Sequence, residues 1–188
     1  NATVLPASPH SPVYSSGLAE KYAYNPDKLT QAVTEAGAEG AEIKLLVNYD
    51  DSIRLRVARR IGQMLAASGL RVTMVENNTE KYLKALKNRS YDLYLGQTKL
   101  SPNMDLTEFF REGGAMSWGG MANATCLSMC QEALENSGNY YNLHQMVLRN
   151  GQLVPILFRS YAVYADRGLA KNMEPSRDNV FFYSMGKS

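Results

Sequence analysis

Few side chains in this sequence could do bond-making chemistry, and their types limit what that chemistry is. The two histidines are His10, in a Pro- and Ser-rich stretch, and His144, in the middle of a helical pattern. A nucleophile–base pair would have to use one of them, and a histidine in either setting is far more often structural, with geometry the arbiter. Asp50 and Asp51 form an adjacent acidic pair just after a strand pattern. Helix capping accounts for them better than a magnesium site does. Cys126 and Cys130 lie four apart, which puts both thiols on one helix face. Two thiols with distant histidines do not make a zinc set, so they read as small buried residues rather than ligands or a disulfide framework. No glycine pattern for cradling a phosphate and no Gly-x-Ser-x-Gly elbow is present. The inventory points to a binding protein and not an enzyme, with no cofactor and no metal expected.

The elements that would position a ligand run from Glu42 to Gln97. Short apolar runs alternate there with helical patterns: EIKLLVN, then DSIRLRVARRIGQMLAASG, LRVTMVEN, TEKYLKALKNRS and YDLYLG. This predicts strand, helix, strand, helix, strand, two parallel-sheet units back to back. Ile43, Leu45 and Val47 should face one side of the first strand and Leu46 the other, as in a sheet covered on both faces. Ile53, Val57, Ile61 and Leu65 give the first crossover helix its apolar stripe, with Arg54, Arg56, Arg59 and Arg60 largely off it on a solvated face. Ligands of such sheets gather beyond the carboxyl ends of the strands, here near Asn48, Glu76 and Gln97.

The rest of the chain frames that core. Residues 1–23 hold three prolines and several serines and are expected to form an extended arm, with Asn1-Ala2 a candidate cloning scar. From residue 24 to 188 a single α/β ligand-binding lobe is expected. Asn25-Pro26-Asp27 predicts a helix start, with Leu29, Val33 and Ala36 inward and Gly37 as the stop. After Gln97 a long irregular stretch contains four glycines and Trp118, a flat apolar surface for a ligand or for its own loop. Asp105 can cap a short helix through Phe109 and Phe110. Helices are then expected over Thr125–Asn136 and Tyr140–Asn150, and strands over Leu153–Phe158, Tyr161–Asp166 and the closing VFFYS. At 188 residues and a formal charge of +2, the chain gives no electrostatic reason to expect nucleic acid. No apolar run approaches the ~20 residues that span a bilayer.

Taken in order, Tyr24-Asn25-Pro26-Asp27-Lys28, Glu35-Ala36-Gly37, VARRIGQMLAASG (57–69), Leu70-Arg71-Val72 and Tyr82-Leu83-Lys84-Ala85-Leu86 before Tyr91-Asp92 form a series. It resembles the extracellular solute-binding proteins of the peptide, dipeptide and nickel class (family 5), which serve ATP-driven importers. The resemblance covers residues 20–110 well and the remainder loosely. It implies the second, C-terminal lobe of a periplasmic-binding-protein-like type II fold, a βαβαβ core with a mixed sheet and helices on both faces. It further implies a partner lobe outside this chain, a peptide or small solute held between the lobes, and permease subunits as partners. The implied location is the extracellular or periplasmic side of a bacterial membrane, with lipid anchoring through an N-terminus that this chain does not include.

On this reading Asn48, Tyr49 and Asp50 approach the solute from the first strand's end. Gln97, Thr98, Lys99 and Ser101 approach from the third, with Trp118 and Arg159 at the sides. Peptide-binding members carry Trp-x-x-Asp after the third strand, where the carboxylate pairs with the peptide amine. Thr98 and Ser101 occupy those positions here. A neutral hydroxyl cannot make that charge-assisted bond, and Lys99 brings a positive charge instead. Two other classes compete: a regulatory protein that senses a small molecule with the same lobe, and a generic α/β hydrolase or transferase using Asp50 or His144.

Overall fold

A computed structural model describes residues 2–159, 174–175 and 180–181. Its elements are α1 (Ser16–Lys21), α2 (Pro26–Glu35), β1 (Glu42–Asn48), α3 (Ser52–Ala67), β2 (Arg71–Asn77), α4 (Thr79–Asn88), β3 (Leu93–Leu95), α5 (Thr107–Phe110), α6 (Ala124–Glu135), α7 (Tyr140–Asn150), β4 (Glu174–Pro175) and β5 (Val180–Phe181). They fall into two compact units. A sheet unit comprises Ala23–Thr98 and Met116–Ala122, and a helical unit takes in Asn1–Tyr22, Lys99–Ala115 and Asn123–Ser188.

In the sheet unit the three strands are parallel in the order β2-β1-β3. β1 pairs with β2 over its whole length, Glu42 opposite Arg71 through Asn48 opposite Asn77. Crossover connections between parallel strands are right-handed almost without exception. The chain steps from β1 to β2 in one direction and then back past β1 to β3 in the other. The two crossover helices are thereby directed to opposite faces. The packing agrees. Leu45 and Val47 bury against Ala58 of α3, with Leu55, Ile61, Val72, Met74 and Leu95 around them. Leu46, on the other face, packs with Tyr82 and Leu86 of α4 and with Val75, Ala85, Tyr91, Tyr94 and Trp118. The α/β class and the helices on both faces are as expected, and the three-stranded sheet itself is wholly parallel.

Local signals start each helix. Asn25 Oδ1 accepts the Lys28 N–H at 3.1 Å, Asp51 Oδ1 accepts those of Ile53 and Arg54 at 2.9 and 3.0 Å, and Asn78 Oδ1 accepts that of Lys81 at 3.0 Å. Each bond satisfies a donor the first helical turn leaves free. Two inner faces differ from expectation. In α3 the fully buried positions are Ala58 and Gly62, while Ile53, Val57, Ile61 and Leu65 are half-buried. Close approach to the sheet favours small residues: a methyl at Gly62 would lie 3.1 Å from Met74 Sδ. In α2 only Val33 is buried, and Leu29 and Ala36 are exposed.

In the helical unit, residues expected to hold no element carry α1, and Leu5, Ala7 and Leu18 are buried. The Thr3 hydroxyl donates to Leu5 O and accepts the Leu5 N–H, both at 3.1 Å, which closes a tight local turn. Helices α5, α6 and α7 pack in sequence around Leu106, Phe109, Phe110, Cys126, Cys130, Ala133, Leu143, His144 and Val147. Asp105 Oδ1 accepts the Thr107 N–H at 2.8 Å at the start of α5. Cys126 and Cys130 are free thiols, and burial pushes Cys130 up to about 12. The strand expected over Leu153–Phe158 is a single antiparallel bridge, Leu157 to Ala2. Pro155 has no N–H to extend a ladder there. Of the closing VFFYS, Val180–Phe181 pairs antiparallel with Glu174–Pro175. The strand expected at Tyr161–Asp166 lies outside the described residues. No described helix is long and apolar enough to cross a membrane.

Candidate functional site at the strand ends

Three loops leave the carboxyl end of the sheet, after β1, β2 and β3. The strand order reverses between β1 and β3, and at such a reversal the flanking connections diverge and leave a crevice. The β1 loop is tied to the start of α4. Asn48 Oδ1 accepts the Asp50 N–H at 2.7 Å, and Asn48 Nδ2 donates to Thr79 Oγ1 at 2.9 Å. Thr79 donates to Asp50 Oδ2 twice, from its N–H at 2.8 Å and its hydroxyl at 2.7 Å. Those two bonds hold the Asp50 carboxyl below the ordinary carboxylate range. Asn48 and Asp50 therefore shape the loop, and Tyr49 between them is 47% exposed.

Gln97 and Thr98 follow β3 and are exposed. Gln97 Oε1 lies 3.5 Å from Arg54 Nη2, which joins the β3 end to the first turn of α3. The Arg54 side chain is only 20% exposed, so it departs from the solvated arginine face expected for α3. Arg59 does keep to that face, 56% exposed, and makes a two-point pair with Glu76 through Nε and Nη2, each at 2.9 Å. Tyr82, in the first turn of α4, donates its phenol to Leu95 O at 3.0 Å, and burial pushes it up to about 12.

Trp118 packs in the cluster on the α4 face of the sheet, in company with Tyr91 and Tyr94. Its neighbours in sequence set that position: a methyl at Gly119 would fall 2.7 Å from the Tyr91 hydroxyl, at the amino end of β3. Lys99, Ser101 and Arg159 belong to the helical unit. There the Ser101 hydroxyl donates to Asn103 Oδ1 at 2.5 Å and accepts the Asp105 N–H at 3.2 Å, bonds that close a local turn. Among the described residues no group of three or more His, Cys, Asp or Glu is placed to hold a metal ion.

Sequence reasoning passed over Arg54, Thr79 and Tyr82. Arg54 had one usable signal: it stands three residues past the Asp51 cap, in the first turn beyond a strand end, where ligand loops of this architecture begin.

No family model matches the sequence, and no curated protein matches it. Solved structures do. The chain superposes on AgaA from A. tumefaciens R10, bound to agropinic acid, with a TM-score of 0.69 at 16% identity, over 85% of this chain and 35% of that one. The oligopeptide-binding protein AppA from Bacillus subtilis, bound to a nonapeptide, gives 0.65 at 18% identity over 80% and 35%. NikA from Staphylococcus aureus, bound to Ni(L-His)2, gives 0.67 at 12% identity over 80% and 34%. The chain thus spans about a third of the length of the structures it resembles. Its fold is that of a part of these solute-binding proteins.

Proposed function

We propose that this chain is the second, ligand-binding lobe of a solute-binding protein of the peptide and nickel class, capturing a peptide or other small solute for an ATP-driven importer. The observation that carries the reading is the carboxyl end of the sheet, a strand-order reversal whose loops are built from polar residues. Similarity in fold to an oligopeptide-binding protein, a periplasmic murein tripeptide binding protein and a nickel ABC transporter supports it. The chain works without catalysis. Asn48 and Asp50 fix the β1 loop, and Tyr49, Gln97 and Thr98 face the solute. A partner lobe closes over it by a hinge, and the loaded protein meets membrane permease subunits on the extracellular or periplasmic side, held there by a lipid anchor.

The test is a thermal-shift screen of the full-length protein over short peptides, amino acids and metal chelates. A solute at 100 times its dissociation constant stabilises the bound state by about 2.7 kcal/mol, which such a screen resolves. At least one member of these classes should raise the melting temperature in a concentration-dependent way. No shift with any of them contradicts the reading.

A further inference from the structure

We propose that Arg54 is the receptor for a carboxylate of the solute, placed at the β1/β3 reversal. This rests on the capture reading above and names the chemistry of its ligand. Arg54 sits in the first turn of the 16-residue α3, where the helix dipole adds to its own charge. A guanidinium stays ionised at any physiological pH, and withdrawing it from water is costly unless good partners replace the water. The partners here are poor. Nε is buried without a hydrogen-bond partner. Nη2 reaches Gln97 Oε1 at 3.5 Å and Asp51 Oδ2 at 3.9 Å, both beyond the best range for an N–H···O bond. The other Asp51 oxygen is committed to capping, with the N–H groups of Ile53 and Arg54 on it.

Arg59 on the same helix shows what a satisfied arginine looks like in this fold. It has two bonds of 2.9 Å to one carboxylate, although its side chain is nearly three times as exposed. Arg54, more withdrawn and less paired, has the charge and the planar fork for a carboxylate brought by the solute. Gln97 faces it through Oε1, and the remaining amide N–H groups of Gln97 are further donors for the same anion. The two side chains lie 43 residues apart in sequence and meet at the carboxyl end of the sheet, where the strand order reverses.

The test uses the full-length protein and tripeptides as matched pairs: free C-terminus against C-terminal amide, and a glutamate side chain against glutamine. The first pair removes a terminal carboxylate and the second a side-chain carboxylate, so the source of the anion is read directly. Titration calorimetry on wild type should give at least about tenfold tighter binding for the carboxylate member of one pair, the size expected of a charge-assisted bond. In Arg54→Gln that ratio should fall to within about threefold, with the loss falling mainly on the carboxylate member. Arg54→Lys, which keeps the charge and loses the fork, should give an intermediate ratio, and it carries the test if Arg54→Gln does not fold. Binding that shows no carboxylate preference, or a preference that survives both substitutions, overturns this proposal and leaves solute capture standing. Failure of every peptide, amino acid and chelate to bind overturns the capture reading, and this proposal with it.

Discussion

Arg54 and His144 are both ionisable, both withdrawn from water and both short of hydrogen-bond partners, yet they sit in opposite settings. Arg54 lies at the carboxyl end of a sheet, in the first turn of a helix, where its charge is permanent. His144 is 0% exposed in the core of the helical unit, edge-on to Tyr140 at 5.6 Å, with neither ring nitrogen bonded. Burial depresses it to about 4, so it is neutral at physiological pH. A histidine can escape the cost of burial by giving up its proton, whereas an arginine cannot. The histidine is therefore compatible with a sealed apolar core, while the arginine keeps a charge that only polar or anionic partners can offset. Partner shortage alone does not mark a site; it does so where the group must stay charged and a ligand can reach it.

The largest expected effect separates packing from chemistry. Leu46 is fully buried in the central strand, so Leu46→Ala should destabilise the protein by about 2–5 kcal/mol in urea denaturation. Leu29→Ala, on an exposed helix face, should stay within about 0.5 kcal/mol. Equal effects would mean the sheet is not the core.

His144 gives the next test. Its folded value lies below the unfolded one, so the stability it contributes is full above pH 6.5 and is lost as pH falls from 6.5 toward 4. A shift of that size corresponds to roughly 3 kcal/mol across the window. His144→Met should flatten most of the decline, and an unchanged pH profile in that variant would place the titrating group elsewhere.

Thr79→Val removes the hydroxyl that latches Asp50 and Asn48 and should lower the melting temperature by a few degrees at pH 7. Asp50 is held below the ordinary carboxylate range, so its bonds stabilise above that range and are lost as pH falls through it. The difference between variant and wild type should shrink toward pH 3. A gap that widens there would mean the latch does not depend on the carboxylate.

What the sequence made legible follows from how far each cause reaches along the chain. The bounds of β1 were readable because alternation and turn residues are local, and the caps at Asn25, Asp51 and Asn78 are decided within four residues. The α3 face was misjudged because large apolar residues suggested the stripe, while the sheet took Ala58 and Gly62 for closeness. His144 could have been assigned to the core from its spacing with Tyr140, Leu143 and Val147, all buried on one face of α7. Arg54 had only its place in the first turn past a strand end to set it above its neighbours. Its burial and its contact with Gln97 depend on where β3 ends, which nothing within a helix turn of Arg54 encodes. The strand-end site was visible as a set of loops, and which side chains they leave free for a ligand was not.

The most direct test of the central claim is amide hydrogen exchange on the full-length protein with and without its solute. Solute capture at the strand ends predicts added protection in residues 48–54 and 95–98, with exchange around His144 unchanged. Protection confined to α6 and α7, with the strand-end loops unaffected, would contradict it.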